Sequence, residues 1–447
     1  MEGTNAAPLD WIDPFCPLLS DRIKVKPGDP PLPGVEAAHR TARALAGFSS
    51  AVFDNLPDAL IDGRASSLDE AVAEAARLVG EWRQPLFGGL GTDVAGARAL
   101  TRLALRCGAI LDHAHGDGMM QALRALQDRG GFTCTLSEVR NRADLIVCIG
   151  VDPTDSSPDF FARCGIGEPV DDAPALREVV LLRGFGSGSD GPTDIALLQG
   201  RPGIKSETME FAGADLHQVI AELNAACLQR QLPRGGPHWP GLQALAARLQ
   251  AARYAVLVYA PGMLPQPHAA LLVEAIARIV KTLNRRSRAG SIALGAADGS
   301  ATVNHVLTWL TGLPLRTALH AHGFDHDPHR HGARRLLKGG AVDGLLWVSS
   351  FSPDLAPPAA ARAIDDRTLP VVVLGHPAMA AVLSADAAAA PAPRIFIPVS
   401  TPGVNAPGQL FRSDGAIALG LKPFMTTTLP SVADIAMRIL GLLERVA

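Results

Sequence analysis

The chain has 447 residues, of which 47% are hydrophobic, so it is long enough for two or three domains with sizeable cores. Its 41 basic and 44 acidic residues nearly balance, and only 5% of the residues are aromatic. These values count against a nucleic-acid-binding surface, which needs a basic stripe or aromatic stacking platforms.

Membrane and export signals are not evident in the sequence. No apolar stretch reaches membrane-spanning length without charges or prolines, and the first residues lack the basic and apolar regions of a signal peptide. The six cysteines form no Cys-x-x-Cys pair. We therefore expect a soluble protein of the reducing cytoplasm, with no membrane partner.

The first third of the chain is predicted to be extended over 1–35 and helical over 36–83. Ser67 begins a capping box for a helix that runs to about Trp82. From residue 85 onward, short apolar strands alternate with amphipathic helices. The predicted strands are 85–91, 108–111, 143–150, 178–182, 254–259, 291–294, 343–348 and 369–374.

This alternation is typical of βαβ units around a parallel sheet, and it predicts an α/β fold with two doubly wound domains. A break rich in proline and glycine at 233–241 separates the two series of strands. The predicted domains are an N-terminal segment 1–50, an α/β domain 51–235 and a second α/β domain 236–447. Residues 384–393 are predicted to be a surface loop and 431–446 a final helix, which leaves no region for a C-terminal β-barrel.

One glycine loop and two groups of histidines are candidate sites. The loop 184–191 follows a strand, as a phosphate-binding turn does, but it lacks the full Gly-x-Gly-x-x-Gly spacing, which favours a plain turn. His113, His115 and Asp117 follow another strand without a partner nucleophile, which favours a hydrogen-bonded loop. The spacing of the second histidine group suits a metal site, but an interior proline and the lack of a helical frame favour a solvated loop. Its members are His320, His322, His326, His329 and His331.

The N-terminal segment has the spacing of an iron–sulfur loop at Asp13, Cys16 and Ser20, although only Cys16 carries a thiol. A [4Fe–4S] cluster is held by four thiolates, so a lone cysteine here proves nothing by itself.

Several segments together resemble the B subunit of formylmethanofuran dehydrogenase, a member of the molybdopterin oxidoreductase superfamily. They occur in the order of that family and span nearly the whole chain: 136–153 with 157–160, 284–289, 308–314, 337–343 and 408–414. The resemblance implies a molybdopterin-oxidoreductase-like fold, with two doubly wound Rossmann-like domains and a small N-terminal segment corresponding to a degenerate cluster domain. The family fold can interleave these domains along the chain.

The departures from the family pattern all fall on cofactor ligands. Aspartate and serine replace two cysteines of the cluster loop around Cys16, and Gly118 stands near the position of the metal-ligating cysteine. In the turn Gly191–Asp194, which corresponds to a pterin-binding turn ending at Asp194, proline replaces the expected glycine. The resemblance therefore implies that both the molybdopterin and the iron–sulfur cluster have been lost, and no catalytic residue is predicted.

Such losses are similar to those of a non-redox branch of this family, the B subunit of the formyltransferase/hydrolase complex of methylotrophic bacteria. That complex moves a formyl group from formyl-tetrahydromethanopterin through a methanofuran-type carrier and releases formate. The resemblance implies a scaffold role beside three partners: the amidohydrolase-like A subunit, the C subunit, and the formyltransferase D subunit. Met119 and Met120 would fill the vacated crevice, or the crevice would guide the carrier.

Two alternatives remain open on the sequence. The first is an active molybdenum or tungsten pterin dehydrogenase that uses Asp13, Cys16 and Ser20 as unusual cluster ligands. The second is a metal hydrolase built on the histidines of 320–331.

Overall fold

A computed structural model describes residues 8–28, 30–33, 39–166, 174, 176–185, 198, 203–232, 235–295, 297–358, 369–385, 394–415 and 417–446. The chain divides into two compact units. The first unit comprises Met1–Asp117, Ala296–Arg412 and Ile417–Ala447, and the second comprises Gly118–Gly295 and Ser413–Ala416. The boundaries predicted at residues 50 and 235 fall inside these units, because the chain leaves the first unit and returns to it where the composition does not change.

The helices and strands alternate along most of the chain. The strands are β1 (Leu9–Trp11), β2 (Ile23–Lys26), β3 (Leu32–Pro33), β4 (Ala59–Ile61), β5 (Arg64–Ser66), β6 (Pro85–Gly91), β7 (Ile110–Leu111), β8 (Leu145–Ile149), β9 (Arg177–Phe185), β10 (Ile204–Ala214), β11 (Tyr254–Tyr259), β12 (Arg288–Ala293), β13 (Thr317–His320), β14 (Gly323–His326), β15 (Gly344–Ser349), β16 (Val371–Gly375), β17 (Arg394–Pro398), β18 (Gly408–Phe411) and β19 (Ala418–Leu421). The α-helices are α1 (His39–Ala46), α2 (Ser50–Phe53), α3 (Leu68–Glu81), α4 (Val94–Cys107), α5 (Gly116–Arg129), α6 (Leu136–Arg142), α7 (Phe160–Arg163), α8 (Leu216–Cys227), α9 (Trp239–Ala251), α10 (Ala269–Leu283), α11 (Ser300–Thr311), α12 (Ala333–Lys338), α13 (Met379–Ala385) and α14 (Val432–Val446).

The main sheet of the first unit has the order β14-β13-β7-β6-β15-β16-β17-β4-β5. Its five central strands, β7 to β17, run parallel, and the outer strands on both sides are antiparallel. Counted along the chain, the parallel strands lie in the order 2-1-3-4-5. This is a doubly wound order whose topological switch point lies between β6 and β15, where such folds bind ligands.

The second unit contains one wholly parallel sheet in the order β10-β9-β8-β11-β12. Counted along the chain this order is 3-2-1-4-5, with the switch point between β8 and β11. All five residues of β8 are buried, as expected for a central parallel strand that is covered on both faces. The predicted α/β fold with parallel sheets is confirmed.

Local signals located most of these elements. The predicted capping box is confirmed, since the Ser67 hydroxyl accepts the Glu70 N–H and the Glu70 carboxylate accepts the Ser67 N–H. No helix in the described stretches is long and apolar enough to cross a bilayer.

Several segments differ from the predictions. Residues 59–66, predicted to be helical, form the β4–β5 hairpin, and the predicted loop around His326 contains β14. β10 was not predicted because its sequence carries few apolar residues; as an edge strand it pairs only with β9 and leaves most of its side chains partly exposed. Most of the predicted surface loop 384–393 lies outside the described residues.

Candidate functional site

The N-terminal loop predicted as a degenerate cluster site is a closed, buried turn of the first unit. Asp13, Cys16 and Ser20 are at most 2% exposed. The Asp13 N–H donates to the Ser20 carbonyl at 2.8 Å, and the Asp13 carboxylate accepts from the Phe15 N–H at 2.8 Å and from the Thr41 hydroxyl at 2.6 Å. The carboxylate is therefore committed to hydrogen bonds within the turn and its neighbour α1.

Aromatic side chains anchor this turn in the first unit. Trp11 donates its Nε1–H to the Gly403 carbonyl at 2.6 Å, and Phe15 packs edge-on against Phe351, just beyond the carboxyl end of β15. Cys16 is the one thiol of this loop, and soft iron–sulfur sites favour thiolate over carboxylate or hydroxyl. The residues present do not fit a [4Fe–4S] cluster.

The switch point of the first unit is closed by hydrogen bonds between its own strands. The Ser350 hydroxyl donates to the Gly91 carbonyl at 2.7 Å, and the Thr401 hydroxyl donates to the Ser350 carbonyl at 2.6 Å. Asp93 caps α4 by accepting the Gly96 N–H at 3.0 Å. The Thr92 hydroxyl is buried and has no partner among the described residues.

His113 and His115 lie just beyond β7, next to the carboxylate of Asp298. Asp298 was not among the site residues predicted from the sequence. His115 Nε2 lies 2.9 Å from the carboxylate of Asp298, and Arg40 forms an ion pair with the same oxygen. His113 Nδ1 accepts the His115 N–H, so its Nε2–H donates to the Asp298 carbonyl at 3.1 Å. The predicted hydrogen-bonded loop describes His113 correctly.

Burial and charge set the protonation states of this cluster. Burial lowers the pKa of His113 to about 3, so this imidazole is neutral. Burial opposes ionisation of Asp298, but the hydrogen bond from His115 and the charge of Arg40 hold its pKa at about 2. Asp298 is 1% exposed, and its second carboxylate oxygen has no partner in the described chain.

Asp117, which follows His113 and His115 in the sequence, does not join their cluster and instead binds Arg316. Arg316 is buried and donates to Asp112 at 3.2 Å and to Asp117 at 2.5 Å. Asp112 also accepts the Ala333 N–H at 2.7 Å. Burial raises the pKa of Asp112, and the positive charge of Arg316 limits that rise.

The histidines of 320–331 are organised by the same arginine. The Arg316 carbonyl lies 3.1 Å from His326 Nδ1 and 3.2 Å from His331 Nδ1, while His320, His322 and His329 are exposed. Across the residues that the structure describes, no three or more histidine, cysteine or acidic side chains gather as metal ligands would. This segment is a hairpin and turn held by Arg316.

Gly118, the predicted position of the lost metal ligand, lies in the second unit beside the carboxyl end of β11. A Cβ atom at residue 118 would lie 2.6 Å from the Cα and 2.8 Å from the N of Gly262. Two backbones meet here, so no side chain can be placed at residue 118 unless one of them moves. The residues present do not fit a ligating cysteine at this position.

The segment 136–153, one of those that carry the resemblance, forms α6, β8 and the turn at the switch point of the second unit. One carboxylate oxygen of Asp152 accepts both the N–H and the hydroxyl of Thr154, at 3.0 and 2.6 Å. The other oxygen is buried without a partner among the described residues. Met120 is buried and Met119 half-buried in α5.

Other predicted positions lie outside the described residues. They are Asp194 with its turn Gly191–Asp194 and the greater part of the glycine loop 184–191.

The chain is similar to the B subunits of two kinds of enzyme. No family model matches it. It is 29% identical over 356 residues to the B subunit of the formyltransferase/hydrolase complex Fhc of Methylorubrum extorquens, and the match covers 79% of this chain and 88% of the relative. It is 26% identical over 422 residues to the B subunit of tungsten-containing formylmethanofuran dehydrogenase 2 of Methanocaldococcus jannaschii, with 90% of each chain covered.

The fold is also that of a solved relative. A crystal structure of the formyltransferase/hydrolase complex (FhcABCD) from Methylorubrum extorquens, in complex with methylofuran, contains a chain that matches with a TM-score of 0.69 and 25% identity. The match covers 87% of this chain and 99% of that chain.

Proposed function

Because this chain is a homologue of the B subunit of the formyltransferase/hydrolase complex and is related to its counterpart in formylmethanofuran dehydrogenase, we propose that it is the B subunit of such a complex. The complex would move a formyl group from formyl-tetrahydromethanopterin through a methanofuran-type carrier and release formate. The chain would be a non-catalytic scaffold for the A, C and D subunits.

The contact between Gly118 and Gly262 carries the non-redox part of the proposal. A retired metal site could in principle be restored by one substitution, but here the backbone of residue 262 occupies the space that a ligand side chain would need. Cys16, Gly118 and Asp194 are accordingly vestigial positions, and the chain would hold neither molybdopterin nor an iron–sulfur cluster.

The scaffold role agrees with what the polar groups of the first unit do. Ser350, Thr401 and Asp93 bind the backbone of their own unit at the switch point, and Asp13 binds its own turn. These side chains hold strand ends together, which is a structural task. In this proposal the acyl-transfer and hydrolytic chemistry takes place on the partner proteins of the complex.

The two alternatives receive less support. A working dehydrogenase would need a cluster on a loop with one thiol and a metal ligand at residue 118, where no side chain fits. A metal hydrolase would need the histidines of 320–331 to converge, yet two of them bind the Arg316 carbonyl and three are exposed.

The test is native purification of the chain with its partners, followed by elemental analysis and an assay for formate release. We expect the A, C and D subunits to co-purify, with substoichiometric molybdenum, tungsten and iron. A tungsten formylmethanofuran dehydrogenase purified in the same way is the control, because it shows that cofactors survive the procedure. Stoichiometric molybdenum or tungsten together with iron would refute the proposal.

A further inference from the structure

The amino edge of the sheet in the second unit carries a concentration of positive charge. Four helices, α6, α8, α9 and α10, end at this edge, because the strands of a parallel sheet begin where the preceding helices end. Seven exposed cationic side chains lie in or just after these helix ends: Arg142, Arg230, Arg253, Lys281, Arg285, Arg286 and Arg288. The chain as a whole carries a net charge of only −3, so this charge is segregated.

The neighbouring carboxylates among the described residues are already engaged. Glu178 and Glu207 pair with Arg248, and Glu178 also pairs with Lys205 at 2.7 Å. Asp144 accepts the backbone N–H groups of Arg253 and Tyr254 at 2.8 and 2.9 Å. Within the described chain, none of the seven cationic side chains forms an ion pair.

Helix dipoles account for part of this pattern. Each helix C-terminus carries about half a negative unit charge and stabilises a nearby cation by about 0.3–1 kcal/mol. Four helix ends therefore offset about two of the seven positive charges. A residual positive field remains at this edge, and such a field favours an anionic partner.

A small cavity lies within this basic edge. Its volume is about 120 Å³, and Gln229, Gln250, Thr282, Arg285, Arg286 and Ser287 contribute to its wall. Gln250 donates to the Cys227 carbonyl at 2.7 Å, which joins the ends of α8 and α9. Pockets for cofactors and drug-sized ligands measure about 300–1,000 Å³, so this cavity suits a single carboxylate side chain.

We propose that the basic amino edge of the second unit is the docking surface for an acidic surface of another protein of the complex, with one carboxylate of that partner entering the cavity between Arg285 and Arg286. Arginine presents several N–H donors to a carboxylate, which adds geometric specificity to the attraction between charges. This inference rests on the proposed membership of a multiprotein complex.

The experiment compares two charge-reversed chains, each co-expressed with the A, C and D subunits. In the test variant, Arg285→Glu and Arg286→Glu are combined. The control variant combines Arg98→Glu with Arg102→Glu, two exposed arginines one turn apart on α4 of the first unit, and so makes the same change in net charge. The readout, at low and at high salt, is the dissociation constant of the chain for the remaining subunits.

We expect the test variant to bind its partners about tenfold more weakly than the wild type at low salt, with a smaller difference at high salt. The control variant should bind like the wild type. The variant with Arg285→Lys and Arg286→Lys should have an affinity between those of the wild type and the test variant, because the charge remains and the planar guanidinium group is lost. Equal binding by the two charge-reversed chains would overturn the inference.

Two further outcomes separate the inference from its premise. If the wild-type chain does not assemble with its three expected partners at all, the proposed function fails and the docking surface fails with it. If the wild type assembles, and the test variant loses binding of inorganic phosphate or copurifying nucleic acid while its assembly is unchanged, the function stands and the docking surface is refuted.

Discussion

Gly118 shows how the close approach of two backbone segments can exclude a side chain. Glycine has no side chain with which to hold a metal, and the close approach of the opposing backbone removes the space for a larger residue. Here the missing Cβ would overlap Gly262, and both atoms that it meets first belong to the backbone, which cannot rotate away.

This geometry predicts that Gly118→Ala destabilises the second unit by about 1–3 kcal/mol, the usual cost of overpacking, although alanine favours helices. Gly241→Ala is the matched control, because both glycines are the third residue of a helix. A Cβ at residue 241 meets only the flexible end of Met209, at 3.3 Å. Free energies of unfolding from denaturant titration should separate the two variants.

Equal stability of these two variants would show that the chain accommodates a side chain at residue 118. The steric argument against a metal ligand would then fail.

The effect of burial on a pKa can be tested at His376. This residue is fully buried after β16 and packs edge-on against Phe48 at 4.6 Å. Burial lowers its pKa to about 3, from 6.5 in an unfolded chain. Below pH 6.5 the unfolded chain therefore binds a proton that the folded chain does not, and folding becomes less favourable.

We predict that the stability of the wild type relative to His376→Leu falls by about 2 kcal/mol between pH 7 and pH 5. The expected loss continues as the pH falls towards 3. Unfolding free energies of both proteins at the two pH values provide the measurement, and comparing the two proteins cancels the contributions of other groups. A pH-independent difference would mean that His376 binds a proton equally well in the folded and the unfolded chain.

Among the elements, the N-terminal strands and turn are anchored by side chains to a distant part of the chain. Trp11 in β1 is 4% exposed, contacts the rings of Phe15 and Phe424, and donates to the Gly403 carbonyl. The segment is thus joined by its side chains to residues almost 400 positions later in the chain.

We predict that Trp11→Ala lowers the unfolding free energy of the first unit by about 3–5 kcal/mol, since it removes a large buried ring. Trp11→Phe should cost about 1–2 kcal/mol, because the ring contacts largely remain and the Gly403 carbonyl loses its donor. Thermal or denaturant unfolding followed by circular dichroism would rank the three proteins. If Trp11→Ala unfolds together with the wild type, the segment contributes no stability.

In the molecule as a whole, the two units are built from interleaved stretches of chain. The alternation of strands and helices could be predicted from the sequence because each βαβ unit is local: β6, β8 and β11 are short apolar runs with a helix nearby. The assignment of these strands to two sheets could not be predicted, because β6 pairs with β15, which follows it by more than 250 residues in the chain. Pairing at such separation leaves no pattern in either segment.

The amino-acid sequence determined which chemical groups are present: one thiol in the N-terminal loop, a glycine at residue 118, and helix caps such as Ser67. These conclusions depend on atoms or on neighbours within one helical turn, so no packing was needed to reach them. Only the tertiary structure brought Asp298 and Arg40 to His115, joined Arg316 to Asp112 and Asp117, and closed Gly118 against Gly262. Those contacts join residues far apart in the chain, and they form only because the packing of whole sheets and helices places them together.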